Sequence, residues 1–93
     1  MEERIKFFVG LDVDANSIAV GVAEAGRAPA RALGSIAHDV PKLRKVLARY
    51  GDPKQVQVVY EAGPTGYGLQ RALTQCGYLC QVIAPVVDSE TRG

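Results

Sequence analysis

Two carboxylates, Asp12 and Glu61, stand where buried strands are expected to end. Asp12 closes an apolar run typical of a strand buried on both faces, and Glu61 follows the short apolar run Val-Gln-Val-Val-Tyr. As parallel neighbours about 4.8 Å apart, these strands would bring both side chains to the carboxyl edge of the sheet, where open α/β sheets usually bind ligands. Two like charges that close favour either protonation of one of them or a hard cation between them.

We therefore take Asp12 and Glu61 as the candidate catalytic and metal-binding residues. Mg²⁺ or Mn²⁺ is the expected ion because no soft ligand lies nearby in the sequence. In two-metal sites, ions about 3.5–4 Å apart activate a nucleophile and stabilise the leaving oxygen of a phosphodiester. The alternative is that Asp12 caps a turn and Glu61 is merely solvated. Asp14 shares the strand parity of Asp12 and could add a ligand, but its place before Ala-Asn-Ser is more typical of a turn.

Other reactive residue types give weaker indications. The glycine-rich segment at 63–68 precedes a predicted helix, but it matches neither common phosphate-binding motif and is more typical of a tight turn that holds Glu61. Cys76 and Cys80 are the only thiols, too few for a disulfide framework or a zinc site, and we expect both to be small buried side chains. His38 falls at a strand-to-helix junction and is expected to be solvated.

The elements that must position the carboxylates follow from hydrophobic periodicity. Strands are predicted over 5–13, 18–24, 30–37, 56–60 and 79–84. A first helix begins with Asp39 as its cap and stops at Gly51 and Pro53, and a second begins at Thr65 and ends at Gly77. This β-β-β-α-β-α-β order predicts an α/β fold with a mixed sheet in strand order 3-2-1-4-5, the ribonuclease-H-like layout.

Composition limits the classes of function. The chain has 93 residues, 47% of them hydrophobic and 23% charged, which predicts one small globular unit rather than disorder. No apolar run approaches the ~20 residues of a membrane helix, so we expect no membrane association and a cytoplasmic location. A net charge of +1 predicts that any nucleic-acid binding by this chain alone is weak.

Five segments carry a resemblance to a known family. They are Phe-Val-Gly-Leu-Asp-Val at 8–13, Ser-Ile-Ala-Val at 17–20, His-Asp-Val-Pro-Lys-Leu-Arg at 38–44, Tyr-Glu-Ala-Gly-Pro-Thr-Gly-Tyr-Gly-Leu at 60–69 and Val-Ile-Ala-Pro at 82–85. Together they resemble the N-terminal RuvC-like domain of DEDD-type insertion-sequence transposases, which are related to Piv-like DNA invertases. The resemblance implies that residues 1–85 are the N-terminal part of a RuvC-like catalytic domain, and that residues 86–93 form a frayed tail.

The resemblance implies a DNA recombinase in which four acids hold two Mg²⁺ ions. The first two acids fall on Asp12 and Glu61. The segment that carries the other two is missing, and Asp88 and Glu90 lie in a different context. The C-terminal helix and the large C-terminal domain of the family are missing as well. We therefore expect a truncated transposase, inactive alone, with weakly bound metal. Its partners would be DNA and, by the same resemblance, a guide RNA.

Two rival functions remain open. One is a non-catalytic module that assembles with full-length transposase through the shared sheet. The other is a sugar-kinase or actin-like ATPase half-domain, which shares the element order. That class needs a glycine-rich turn after the first Asp to hold phosphate, and the turn at 14–17 contains no glycine.

Right-handed crossovers would put both helices on one face of the sheet. The other face would then be bare, and we expect a homo-oligomer.

Overall fold

A computed structural model describes residues 4–26, 29–63 and 67–83 of the chain. Five strands and two α-helices occur in these ranges, with short 3₁₀ turns at Ala48–Tyr50 and Pro53–Gln55. The strands are β1 (Phe7–Val13), β2 (Ser17–Glu24), β3 (Arg31–Ala37), β4 (Val56–Glu61) and β5 (Leu79–Ile83), and the helices are α1 (Val40–Leu47) and α2 (Gly68–Gln75).

The strands form one mixed sheet in the order β3-β2-β1-β4-β5. β1 pairs antiparallel with β2, and β2 with β3, whereas β1 pairs parallel with β4, and β4 with β5. The antiparallel pairs have short connections, α2 lies in the connection between β4 and β5, and the chain from β1 to β4 passes through β2, β3 and α1. The predicted α/β fold, element order and strand order are confirmed, and the arrangement is ribonuclease-H-like.

One face of the sheet and both helices enclose the core. Alternate residues of β1, among them Val9 and Leu11, point to this face, which we call the helix side, and Leu43 and Leu73 of the two helices are fully buried there. The buried hydrophobic residues are Val9, Leu11, Ile18, Val20, Val22, Leu43, Leu47, Val56, Val58, Tyr60, Leu69, Leu73 and Tyr78.

The opposite face, which we call the open face, carries the other parity of each strand. In the ranges that the structure describes, no helix packs on it, as the crossover argument predicted. Phe8 and Leu79 are each 46% exposed there, and Ile83 is 42% exposed. Small residues from the three antiparallel strands line the middle of this face, among them Gly10 and Ala19. The open face is therefore largely apolar.

Local capping explains where α1 begins and ends. Asp39 is the N-cap, its Oδ1 accepting the Lys42 N–H at 3.1 Å, and Pro41 stands in the first turn, where a missing N–H costs nothing. The α-helix ends at Leu47, and the predicted stop at Gly51 follows the 3₁₀ turn Ala48–Tyr50. Gly51 has φ of 93°, a left-handed conformation that favours glycine.

Two details of the prediction need correction, and a third lies outside the described residues. α2 begins at Gly68 with Tyr67 at the N-cap position, and the predicted cap Thr65 lies outside the described residues. Cys76 and Cys80 are half-buried rather than buried, because each sits at the margin of the core. Residues 84–93, which include the predicted tail, Asp88 and Glu90, also lie outside the described residues.

Candidate functional site

The parallel pairing of β1 and β4 brings Asp12 and Glu61 to the same edge of the sheet. Leu11 is the register partner of Tyr60, so the next residue along each strand is one of the two carboxylates. Both side chains have the parity of the open face, because Gly10 pairs with Val59 two residues earlier. The structure thus sets the two candidate acids on adjacent strands, at their carboxyl ends and on one face.

The two carboxylates line the same concave surface. A cavity of about 420 Å³ is lined by Leu11, Asp12, Val13, Glu61, Ala62 and Gly63. A shallower and larger cavity of about 650 Å³ extends from the same two acids across the open face. Both acids are exposed to solvent. The Ala62 N–H donates to the Ile83 carbonyl at 2.9 Å, which ties the backbone after Glu61 to β5.

Asp14 lies in the turn between β1 and β2, as its sequence context indicated. Its N–H donates to the Ser17 carbonyl at 2.8 Å, closing the turn. Asp14 is absent from the residues that line the two cavities at Asp12 and Glu61. Its observed role is therefore a turn residue.

His38 has a partner that sequence reasoning missed. Its Nδ1 lies 2.7 Å from the Asp14 carbonyl oxygen, so the protonated nitrogen donates to the turn, and the side chain is half-buried rather than solvated. The His38 N–H also donates to the Asn16 carbonyl at 3.1 Å. These two bonds anchor the turn after Asp12 to the end of β3. Because the contact joins residues 24 positions apart, no local sequence motif predicts it.

Tyr60 is a second residue whose role the sequence did not reveal. It is 2% exposed on the helix side of β4, and its hydroxyl accepts the Gln70 N–H at 3.0 Å. Burial raises the pKa of the Tyr60 phenol, and the bond from Gln70 opposes that shift. Because Gln70 lies in the first turn of α2, Tyr60 takes the place of the side-chain cap that Tyr67 does not supply.

The two carboxylates are suitable ligands for a hard divalent ion, but they are only part of the ligand set that a two-ion site needs. Two carboxylates are oxygen ligands of the kind that Mg²⁺ and Mn²⁺ prefer. Across residues 4–26, 29–63 and 67–83, no three His, Cys, Asp or Glu side chains are grouped as metal ligands. Of the glycine-rich segment, positions 64–66 fall outside the described residues, and Gly63 lines the smaller cavity.

Comparison with known proteins gives one informative relative. No protein-family model matches the chain. Over 80 residues, the chain is 39% identical to a Sinorhizobium fredii protein named "Putative transposase y4qE", a match that covers 84% of this chain and 20% of that protein. The chain is thus distantly homologous to part of a transposase-named protein, and it spans about a fifth of that relative's length.

The structural comparison matches the Ppx/GppA phosphatase of Aquifex aeolicus in its type II variant. The sequence identity is 12%, the TM-score is 0.43, and the match covers 87% of this chain and 36% of that chain.

Neither described helix is long and apolar enough to cross a membrane.

Proposed function

We propose that this chain is part of the catalytic domain of a DNA transposase or recombinase, in which Asp12 and Glu61 supply two carboxylates for divalent metal ions. The observation that carries the proposal is their placement, on one face and at the carboxyl ends of the adjacent parallel strands β1 and β4. The homology to a transposase-named protein supports the same function. DNA is then the substrate, and the resemblance of the sequence adds a guide RNA to the proposal.

The chemistry divides between the metal and this chain. Bound Mg²⁺ or Mn²⁺ would activate a nucleophile and stabilise the leaving oxygen of a phosphodiester. Asp12 and Glu61 would hold the ion through their carboxylate oxygens at the mouth of the smaller cavity. The His38 contact holds the turn after Asp12, and the Ala62 bond to Ile83 holds the chain after Glu61. The backbone that carries each carboxylate is therefore held by strand pairing before the residue and by a hydrogen-bonded contact after it.

Two carboxylates are half of the ligand set that two ions need for in-line displacement. We infer that the 93-residue polypeptide alone binds one divalent ion weakly, with a dissociation constant on the order of millimolar. It should cleave no DNA, because the second ion has no fixed position.

Metal binding can be mapped residue by residue with Mn²⁺, which broadens nearby amide signals in a ¹⁵N–¹H NMR spectrum. Substoichiometric Mn²⁺ should broaden the amides of Leu11–Val13 and 61–63 before any others. The substitutions Asp12→Asn and Glu61→Gln should each abolish this selective broadening. The matched control Asp14→Asn removes the same charge two residues away and should leave the pattern unchanged. Broadening centred on Asp14, or spread evenly over the acidic residues, would contradict the site.

Cleavage is tested on supercoiled and branched DNA in millimolar Mg²⁺ or Mn²⁺. We expect no product from the chain itself, and none from Asp12→Ala. Product that the wild-type chain forms and Asp12→Ala does not would mean that the remaining ligands lie within these 93 residues.

A second candidate function is a non-catalytic module that assembles through the open face. The observation that favours it is the exposure of Phe8, Leu79 and Ile83 on one side of a five-stranded sheet. The occupant we propose for this face is a second copy of the chain. Burial of these side chains removes apolar area from water, which favours association.

A further inference from the structure

The solvent-facing side of α1 carries positive charge only. From Val40 to Gly51 the sequence contains Lys42, Arg44, Lys45 and Arg49 and no acidic residue. All four cationic side chains are exposed, because the apolar face of α1 is turned into the core through Leu43 and Leu47. We call these four cations the α1 basic surface. The net charge of +1 for the whole chain conceals this local excess.

The nearest acidic residues in sequence already have backbone partners. Asp39 accepts the Lys42 N–H, and Asp52 accepts the Lys54 N–H at 2.9 Å. Among the described residues, none of the four cations of the α1 basic surface forms an ion pair. Their charge is therefore available to an external anion.

The shape of this side of the molecule adds a second observation. Arg44 and Lys45 line a groove of about 440 Å³, together with Cys76 and Tyr78 at the end of α2. Burial raises the pKa of the Tyr78 phenol, and the nearby Arg44 cation opposes that shift. Lys42 and Lys45 are three apart on α1, and Arg49 lies in the 3₁₀ turn that follows it, so the exposed cations form a stripe along this segment.

We propose that the α1 basic surface binds the phosphate backbone of nucleic acid. A row of closely spaced phosphates matches a stripe of exposed cations, and binding releases condensed counterions from the nucleic acid. An anionic membrane fits less well, because membrane-surface helices need an exposed apolar face and that of α1 is buried. α1 packs on the helix side of the sheet, whereas Asp12 and Glu61 have the parity of the open face, so the inference does not rest on the proposed metal site.

The test uses the full 93-residue chain and a fluorescein-labelled 20-base-pair duplex of mixed sequence, followed by fluorescence anisotropy in EDTA. At 25 mM salt we expect a dissociation constant of roughly 10–100 µM, the range of weak non-specific binding. The logarithm of the association constant should fall with the logarithm of salt concentration with a slope of about −3, as three to four phosphate contacts require.

The variant Lys42→Gln/Lys45→Gln should weaken binding about tenfold and flatten the salt slope by about 2. The matched control Arg31→Gln/Arg71→Gln removes the same charge from β3 and α2, and should weaken binding less than twofold. Lys42→Arg/Lys45→Arg keeps the charge and should bind as the wild type does. Equal weakening by the two glutamine variants, or no binding at 25 mM salt, would overturn the proposal.

Two further arms distinguish binding at α1 from binding at the metal site and from binding to a different anionic partner. Asp12→Asn/Glu61→Gln should bind the duplex at least as tightly as the wild type, since the metal site takes no part; loss of binding would overturn the assignment to α1. Vesicles containing 30% phosphatidylserine and a polyglutamate peptide should both compete poorly with the duplex. Stronger binding to either would replace nucleic acid as the partner.

Discussion

The Cys80 thiol lies on the helix side of β5, at the margin of the core. Burial raises the pKa of this thiol to about 11. An unfolded cysteine has a pKa of about 8.5, so the folded state binds the thiol proton more tightly. The resulting stabilisation is fully present below about pH 8.5 and is lost as the pH rises towards 11, because the thiolate then favours the unfolded chain.

Alkylation kinetics check this at the single residue. In the variant Cys76→Ser, where Cys80 is the remaining thiol, the rate with iodoacetamide should rise about tenfold per pH unit between pH 7 and 10 without levelling off. The same variant unfolded in urea serves as the control, and its rate should level off near pH 9. A folded-state plateau below pH 9 would show that burial does not protect this thiol.

Asp12 and Glu61 could be placed from sequence because strand parity and parallel pairing together determine which face and which edge a side chain reaches. The hydrogen bond of His38 and the partial exposure of Cys80 could not be predicted from the sequence. The His38 bond to Asp14 depends on how the β1–β2 turn meets the end of β3, which is a tertiary contact. Cys80 belongs to the edge strand β5, whose neighbours cover only part of it.

The two helices begin by different means. α1 carries its own signal, since Asp39 and Pro41 stand at the positions where a cap and a first-turn proline belong. α2 has no side-chain cap at Tyr67. Instead, the hydroxyl of Tyr60 on β4 accepts the N–H of Gln70, which lies ten residues later in the chain. The sequence therefore predicted the start of α1 closely, whereas the start of α2 depends on packing between a strand and a helix.

Replacement of Tyr60 by Phe should lower the free energy of unfolding by about 1–2 kcal/mol, because the Gln70 N–H loses its acceptor. The matched control is Tyr50→Phe, whose ring packs on Phe7 with centroids 5.0 Å apart and whose hydroxyl has no bond among the described residues. It should change stability by less than about 0.5 kcal/mol. Chemical denaturation gives both values.

Amide hydrogen exchange gives a local readout of the same change. In Tyr60→Phe the Gln70 amide should exchange faster, while amides in the middle of α1 should follow only the change in global stability. Unchanged protection of Gln70 would mean that another acceptor satisfies this N–H and that Tyr60 does not cap α2.

At the scale of the whole molecule, the open face carries three of the large hydrophobic side chains that are exposed among the described residues, namely Phe8, Leu79 and Ile83. Five strands about 4.8 Å apart and five to eight residues long give a face of roughly 500 Å². Two copies joined through it would bury less than the roughly 1,600 Å² of a standard stable interface. The apolar character of the face predicts association, and its size predicts that the dimer is weak.

Sedimentation equilibrium from 10 to 500 µM should show a mass that rises from 9.9 kDa towards twice that value. Phe8→Ser should shift the rise to higher concentration by about tenfold or more, because it removes an exposed aromatic ring on the middle strand of the open face. Tyr67→Ser, at a residue 53% exposed at the start of α2, is the matched control and should have little effect. A monomeric mass at every concentration would contradict the proposal that a second copy of the chain covers the open face.

The β1–β4 pairing also has a consequence for the order in which the chain folds. β1, β2 and β3 are consecutive and have short connections, so their contacts are local and we expect them to form early. Asp12 and Glu61 are about fifty positions apart, and pairing their strands must close a much longer loop. During synthesis β1, β2 and β3 leave the ribosome before Glu61 does. The candidate ion site is thus created late, in the step that docks α1 and adds β4 to the sheet.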